Sequence, residues 1–199
     1  MLRNIRGDRQ GYRMRSILKL VFGAALFALS VSSSAFSTEL HACFTPGEDC
    51  TAMIVHAIDD AKSELLVQAY GFTSGPIIQA VARAKERGVN VRVILDKINE
   101  QKRYTAATYL KNHGIDPMID FQPAIAHNKV MVIDRRNVIT GSFNFTTAAQ
   151  KRNAENLLII LDDPAIAEAY AANWQHRSDA ARPYSDFRRA PAPTNESPD

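Results

Sequence analysis

From residue 51 to residue 114 the apolar positions switch between helical and strand spacing. Ile54, Ile58 and Ala61 recur at helical intervals and predict a helix over 51–62, and Glu64–Phe72 then reads as a strand. Ser74 is placed to cap a second helix, with Pro76 in its first turn, Ile77, Val81 and Ala84 facing inward and Gly88 ending it. Val89–Leu95 is β-branched enough for a second strand, and a third helix through Tyr104, Ala107 and Leu110 runs to Gly114. From Pro117 the spacing shortens, predicting strands at Met118–Phe121, His127–Ile133, Val138–Ser142 and Leu157–Leu161, with Asp134–Asn137 as a hairpin turn. Thr147 and Gln150 have capping-box spacing for a short helix. Ala167, Tyr170, Ala171 and Trp174 mark a last helix at Pro164–Ser178. This alternation predicts an α/β layered fold.

Two of these strands carry polar residues that the pattern does not need. His127 and Lys129 stand two apart, so a strand points both to one face, and an imidazole and an ammonium share one small volume. In Ser142-Phe143-Asn144-Phe145 the polar residues face one way while the rings enter the core. These four polar groups suit a phosphate: Lys129 supplies charge, Ser142 and Asn144 directional hydrogen bonds, and His127 a nucleophile or proton carrier. A solvated edge strand would explain Lys129 alone, but not a second polar pair on the next strand. Asp134 is seven positions from His127, an odd offset that a regular strand turns to the opposite face. A structural role in the Asp134–Asn137 turn is at least as well supported for it as contact with substrate.

His-x-Lys with Asp134 five positions beyond Lys129, then Gly141-Ser142-x-Asn144 and Glu155, resembles the phospholipase D superfamily signature, in particular its small bacterial nuclease branch. The likeness extends from about Phe44 to Trp174. It implies a phospholipase D-like single domain, with a mixed β-sheet flanked by helices on both faces, over residues 38–181. It also implies that His127 attacks phosphorus to form a phosphohistidine, that a second His127 protonates the leaving oxygen, and that the Glu155 carboxylate orients the histidine by holding Nδ1–H. Most members carry two His-x-Lys motifs, and this chain carries one. The expectation is therefore a homodimer with a shared active site, because a two-fold axis brings His127, Lys129 and Asn144 of both copies together.

The net charge of +3 is misleading, because Arg3, Arg6, Arg9, Arg13, Arg15 and Lys19 are balanced near the start only by Asp8, leaving the rest slightly acidic. Attraction to phosphate must then be local, from groups such as Lys129, Lys97, Lys102, Arg103, Lys151 and Arg152. Basic residues, an apolar run at 20–31 and the small-residue exit around Ser32–Ala35 predict a signal peptide over 1–37, with a start at Met14 giving a more typical leader. A retained anchor is the alternative. Export to the periplasm or medium suits the cysteines: Cys43 and Cys50 flank a turn-rich loop and are expected to form a disulfide. Beyond Arg182 the prolines and scarcity of apolar residues predict a disordered tail over 182–199.

No glycine-rich nucleotide loop is present, and no Cys/His set completes a zinc site, so neither cofactor nor metal is expected. The favoured function is an exported endonuclease of low sequence specificity, acting on DNA and on RNA as a further substrate, bound through backbone phosphates. The alternatives are a phospholipase D or phosphatidyl transferase acting on lipid phosphodiesters, and a non-catalytic DNA-binding envelope module. No stable membrane partner is expected after leader cleavage.

Overall fold

The computed structural model describes residues 37–100 and 105–185; the expected leader up to residue 36, the far part of the expected tail, Lys102, Arg103 and Tyr104 lie outside them. Eight strands form a single sheet in the order β1-β7-β6-β5-β2-β3-β4-β8. They are β1 Glu39–Thr45, β2 Glu64–Ala69, β3 Asn90–Asp96, β4 Met118–Asp120, β5 Lys129–Ile133, β6 Asn137–Gly141, β7 Glu155–Leu161 and β8 Arg182–Pro183. β2, β3 and β4 run parallel and the other pairings are antiparallel, so the sheet is mixed.

The period of two along the central strands divides the core. Leu65, Val67, Met131, Ile133 and Ile139 face one side, where they pack with Ile54 and Ile58 of α1 (Cys50–Asp59), Ile77 and Val81 of α2 (Gly75–Glu86), and Leu110 of α3 (Ala106–Asn112). Leu66, Ile94, Val130, Val132 and Val138 face the other side and meet Ala167, Ala171 and Trp174 of α5 (Pro164–Asp179). The Trp174 indole donates to the Val67 carbonyl at 2.9 Å, which satisfies its buried N–H. Helices thus cover both faces, as expected. A short α4 (Thr147–Lys151) sits between the motif strands and β7.

Several local readings are corrected. The segment Glu39–Thr45, to which the sequence pattern assigned no element, is β1; it is an edge strand that leaves Leu40 and Phe44 exposed, so its outward face does not look like a core strand in sequence. The expected disulfide is formed, joining Cys43 of β1 to Cys50 at the start of α1. β2 ends at Ala69 rather than Phe72, and β5 begins at Lys129, leaving His127 just outside the strand. Ser74 occupies the N-cap position of α2, but its side chain makes no capping bond. α4 is capped by Thr146, which accepts from Ala149 N, and not by a Thr147–Gln150 box; Gln150 instead binds the Thr51 N–H and the Glu48 carbonyl. The tail does not begin at Arg182, because Arg182–Pro183 pair with β4 and the buried Tyr184 shares a hydrogen bond with Thr108 Oγ1.

Asp134 closes the β5–β6 turn with φ 53°, followed by Arg135 at φ 54°. Both central residues are therefore left-handed, and neither is glycine. The carboxylate of Asp134 accepts from the backbone N–H groups of Lys62, Ser63 and Glu64 at 2.9, 2.7 and 3.0 Å and from Ser63 Oγ at 2.8 Å, tying the hairpin to the start of β2. It lies at the opposite end of β5 from Lys129, about 16 Å away at strand rise. Burial pushes its pKa up, but the donors from Glu64, Ser63 and Lys62 more than offset this and hold it below the ordinary aspartate value. Asp134→Ala should cost about 2–3 kcal/mol at neutral pH, the order of one well-made set of charged hydrogen bonds discounted for partial exposure. Because the folded pKa is depressed, that stabilisation is present above the unfolded value near ~3.9 and fades as pH falls through the folded one. Denaturant melts should therefore show the gap between wild type and variant closing in acid, with turnover unaffected at neutral pH.

Candidate active site

The site forms where β2 and β5 pair at Ala69 and Lys129, the end of β2 and the start of β5. Asp96, at the C-terminal end of β3, is buried and accepts from the Ala126 N–H at 2.7 Å through one oxygen and the Ile98 N–H at 2.9 Å through the other. Beyond His127, the Asn128 carbonyl accepts from Tyr70 N at 2.9 Å. His127 is thus exposed on a loop whose backbone is fixed on both sides.

Lys129 is 7% exposed, and its Nζ donates to the His127 carbonyl at 2.7 Å and lies 3.0 Å from His127 Nδ1. The spacing of two brings the pair together as expected, although only Lys129 is in the strand. Burial lowers the Lys129 pKa, and the nearby Glu155 carboxylate opposes that shift without cancelling it. An ammonium only donates, so with Lys129 charged, Nδ1 accepts and the ring proton belongs on Nε2. In this arrangement Nε2–H is a hydrogen-bond donor. A bare, attacking Nε2 requires the other tautomer.

Tyr70 and Gly71, which follow β2 directly, are the wall shared by the two motifs. The Tyr70 ring packs on His127 with centroids 4.6 Å apart, and Lys129 Nζ lies 5.5 Å from the ring centre. A Cβ at Gly71 would come within 3.4 Å of Asn144 Oδ1 and 3.0 Å of Thr146 Cγ2, so the absent side chain lets Asn144 approach. Asn144 is positioned by its neighbours: Phe143 and Phe145 are fully buried, and the Phe145 carbonyl accepts from both Thr73 N and Ser74 N at 2.9 Å. The alternation read from Ser142 to Phe145 therefore holds, in a loop rather than a strand. Asn144 Oδ1 is buried without a hydrogen-bond partner, a group whose desolvation a ligand or water at the site would relieve.

Ser142 and Glu155 are differently engaged from the sequence expectation. Ser142 Oγ donates to Glu155 Oε2 at 2.6 Å and accepts from Asn156 N at 3.0 Å, while Asn153 Nδ2 donates to Glu155 Oε1 at 2.9 Å. The hydroxyl proton of Ser142 is therefore committed to the carboxylate and not to a phosphate. The Glu155 oxygens are held by Ser142 and Asn153, and the bond expected from Glu155 to His127 Nδ1 is not the one made; Lys129 stands at Nδ1. Thr45 Oγ1 of β1 donates to the carbonyls of Ala149 and Asn153, linking the disulfide-bonded edge to the turn that carries Glu155.

The sequence reading missed Tyr70, Gly71 and Asp96. An aromatic-glycine pair just past a strand, and an acidic residue ending the next parallel strand, are the available signals, since α/β sheets place their sites at the carboxyl ends of strands.

The family described as "Cardiolipin synthase, PLD-like domain" matches residues 54–177. A protein named "Phospholipase D" from Rickettsia felis is 46% identical over 145 residues, covering 73% of this chain and 72% of that one. The human "Mitochondrial cardiolipin hydrolase" is 34% identical over 132 residues, covering 65% of this chain and 52% of that one. Among solved structures, the phospholipase D family member Nuc from Salmonella typhimurium superimposes with a TM-score of 0.71 at 34% identity, covering 74% of this chain and 99% of that one.

Proposed function

Because the chain belongs to the phospholipase D superfamily and is a phosphodiesterase of that kind, we propose that it is an endonuclease of low sequence specificity, exported to the periplasm or medium. The observation that carries the chemistry is the contact of a buried Lys129 with His127. Lys129 and Asn144 neutralise charge on the non-bridging oxygens. Two copies share one site: Nε2 of one His127 forms the N–P bond as the P–O bond to the leaving group breaks, and that oxygen takes the Nε2 proton of the other His127. Water then attacks phosphorus and gives its proton to the second imidazole, and the N–P electrons return to the first. With Nδ1 accepting from Lys129 the imidazole is neutral and protonated on Nε2, so the nucleophilic copy needs the opposite tautomer and the acid copy needs the imidazolium, which returns to neutral imidazole when Nε2 gives its proton to the leaving oxygen.

The nucleic-acid reading is supported by the flat Tyr70 ring beside His127 and by exposed Lys151 and Arg152 in the turn leading to Glu155, which suit a polyanionic backbone. The disulfide supports an oxidising compartment. A lipid phosphodiester is the second reading, favoured by exposed Phe121 and Ile125 close to His127 in the chain. Among the described residues no helix is long and apolar enough to cross a membrane.

Purified mature protein incubated in EDTA with plasmid DNA, RNA and phosphatidylcholine vesicles is expected to degrade the nucleic acid, since Lys129, Asn144 and histidine already supply the charge and protons of a metal-free route. Loss of cleavage in EDTA with recovery in magnesium would contradict that route, and exclusive lipid hydrolysis would contradict the substrate. For the shared site, mixing equal amounts of wild type and His127→Ala with demonstrated subunit exchange should leave activity near one quarter, the random share of dimers with both histidines. Activity at one half would indicate independent sites.

A further inference from the structure

A pocket of about 440 Å³ opens beside the site, and its near wall is the Tyr70 and Gly71 backbone turn against which His127 and Asn144 lie. We propose that this pocket is a nucleobase subsite, which holds the base next to the scissile phosphate by stacking on Tyr109; the assignment rests on the nuclease reading. Tyr109 and Ile98 are 37% and 42% exposed and both line the pocket, so a flat apolar surface is open to solvent where a ligand would enter. His113, which is not part of the lining, stacks on Tyr109 at 4.1 Å with an interplanar angle of 24° and accepts or donates at 2.8 Å to the Tyr109 carbonyl through Nδ1. That contact braces one face of the ring and leaves the pocket the remainder.

The occupant must be attached to the phosphate and reach over the width of one aromatic ring, because Tyr70 both touches His127 and lines the pocket. A nucleoside spans that distance. The lining also carries Thr73 and Gln79, hydrogen-bonding groups that suit the polar edges of a base and are wasted on an acyl chain. Asn99 is buried, and its amide N–H groups are used by the Tyr70 and Asp96 carbonyls, so its side chain fixes the wall that joins pocket to site. Thr73 Oγ1 and the Gln79 amide can each donate or accept, so they tolerate any base edge, in keeping with stacking that tolerates sequence.

The test compares cleavage, by wild type, Tyr109→Ala and Tyr109→Phe, of a single-stranded oligodeoxynucleotide and of the same strand carrying one abasic position, with products mapped at nucleotide resolution. Tyr109→Ala is expected to lower kcat/KM on the intact strand by about tenfold, the scale of one lost base stack. Tyr109→Phe should retain the wild-type value, and wild type should avoid bonds flanking the abasic position, a bias that Tyr109→Ala loses. Equal rates for all three proteins, or a loss in Tyr109→Ala that is the same at intact and abasic positions, would overturn the subsite while leaving the nuclease reading intact. Wild type that leaves the oligonucleotide whole but hydrolyses phosphatidylcholine vesicles would overturn both. Melting curves of the two variants matching wild type separate a lost stack from a lost fold.

Discussion

His127→Ala should lower phosphodiester turnover by about 10⁴-fold or more, with little change in melting temperature. The size follows from its double duty. In the shared site one imidazole is nucleophile and the other is acid, so the substitution removes both from every dimer, and general acid–base help alone is worth about 10²–10⁴-fold. The small stability effect follows from position: His127 is exposed, and its backbone is held by Asp96 through Ala126 and by Tyr70 through Asn128, none of which needs the ring. Steady-state rates with a supercoiled plasmid, set against calorimetric melts, check both halves. Turnover within tenfold of wild type would place the nucleophile elsewhere.

Lys129→Met is the second large effect, and it is expected to act in opposite directions on rate and stability. Lost neutralisation of the phosphoryl oxygens should reduce kcat by about 10²–10³-fold, as for removal of one well-placed donor. Burial is the main cause that lowers the Lys129 pKa, so the charge is carried at a cost to folding, and a methionine of similar length should leave stability unchanged or higher. The same shift sets an alkaline limit. If the charged ammonium is required, the wild-type rate should fall at a pH below the ordinary lysine value of 10.5, because the folded-state pKa is depressed. A pH profile of wild type, and kcat with denaturant melts for the variant, provide the readout. A variant that is both strongly destabilised and fully active would contradict the role.

The chemistry was legible in the sequence where it is local. His127 and Lys129 are two residues apart, and one turn of backbone suffices to bring Nζ to Nδ1, whatever the strand boundaries. Phe143 and Phe145 announced which way Asn144 points because both rings must be buried. Contacts that close through space were not legible. Asp96 reaches Ala126 across thirty residues, and Tyr70 reaches His127 only because β2 pairs antiparallel with β5. Ser142 and Glu155 were assigned to phosphate and histidine by type and position, whereas the hairpin geometry of β6 and β7 joins them to each other.

β1 escaped notice for a related reason. Its inward residues are Cys43 and Thr45, held by a disulfide and by hydrogen bonds to α4 rather than by large apolar side chains, while its large apolar residues face out. For Asp134, parity along β5 made a structural turn role at least as well supported as substrate contact, and its carboxylate is bound by the backbone N–H groups at the start of β2. What parity could not indicate is its partner, the backbone at Lys62–Glu64.

The covalent step is the center of the account, and trapping it is the most direct test. Protein turning over an isotopically labelled phosphodiester in EDTA, with the label on the phosphoryl group that remains with the enzyme, is quenched in denaturant and digested. The label should reside on the peptide containing His127, survive alkali and be lost in acid, as an N-linked phosphoryl group requires. An acid-stable adduct, a label on another residue, or turnover that never labels the protein would contradict it.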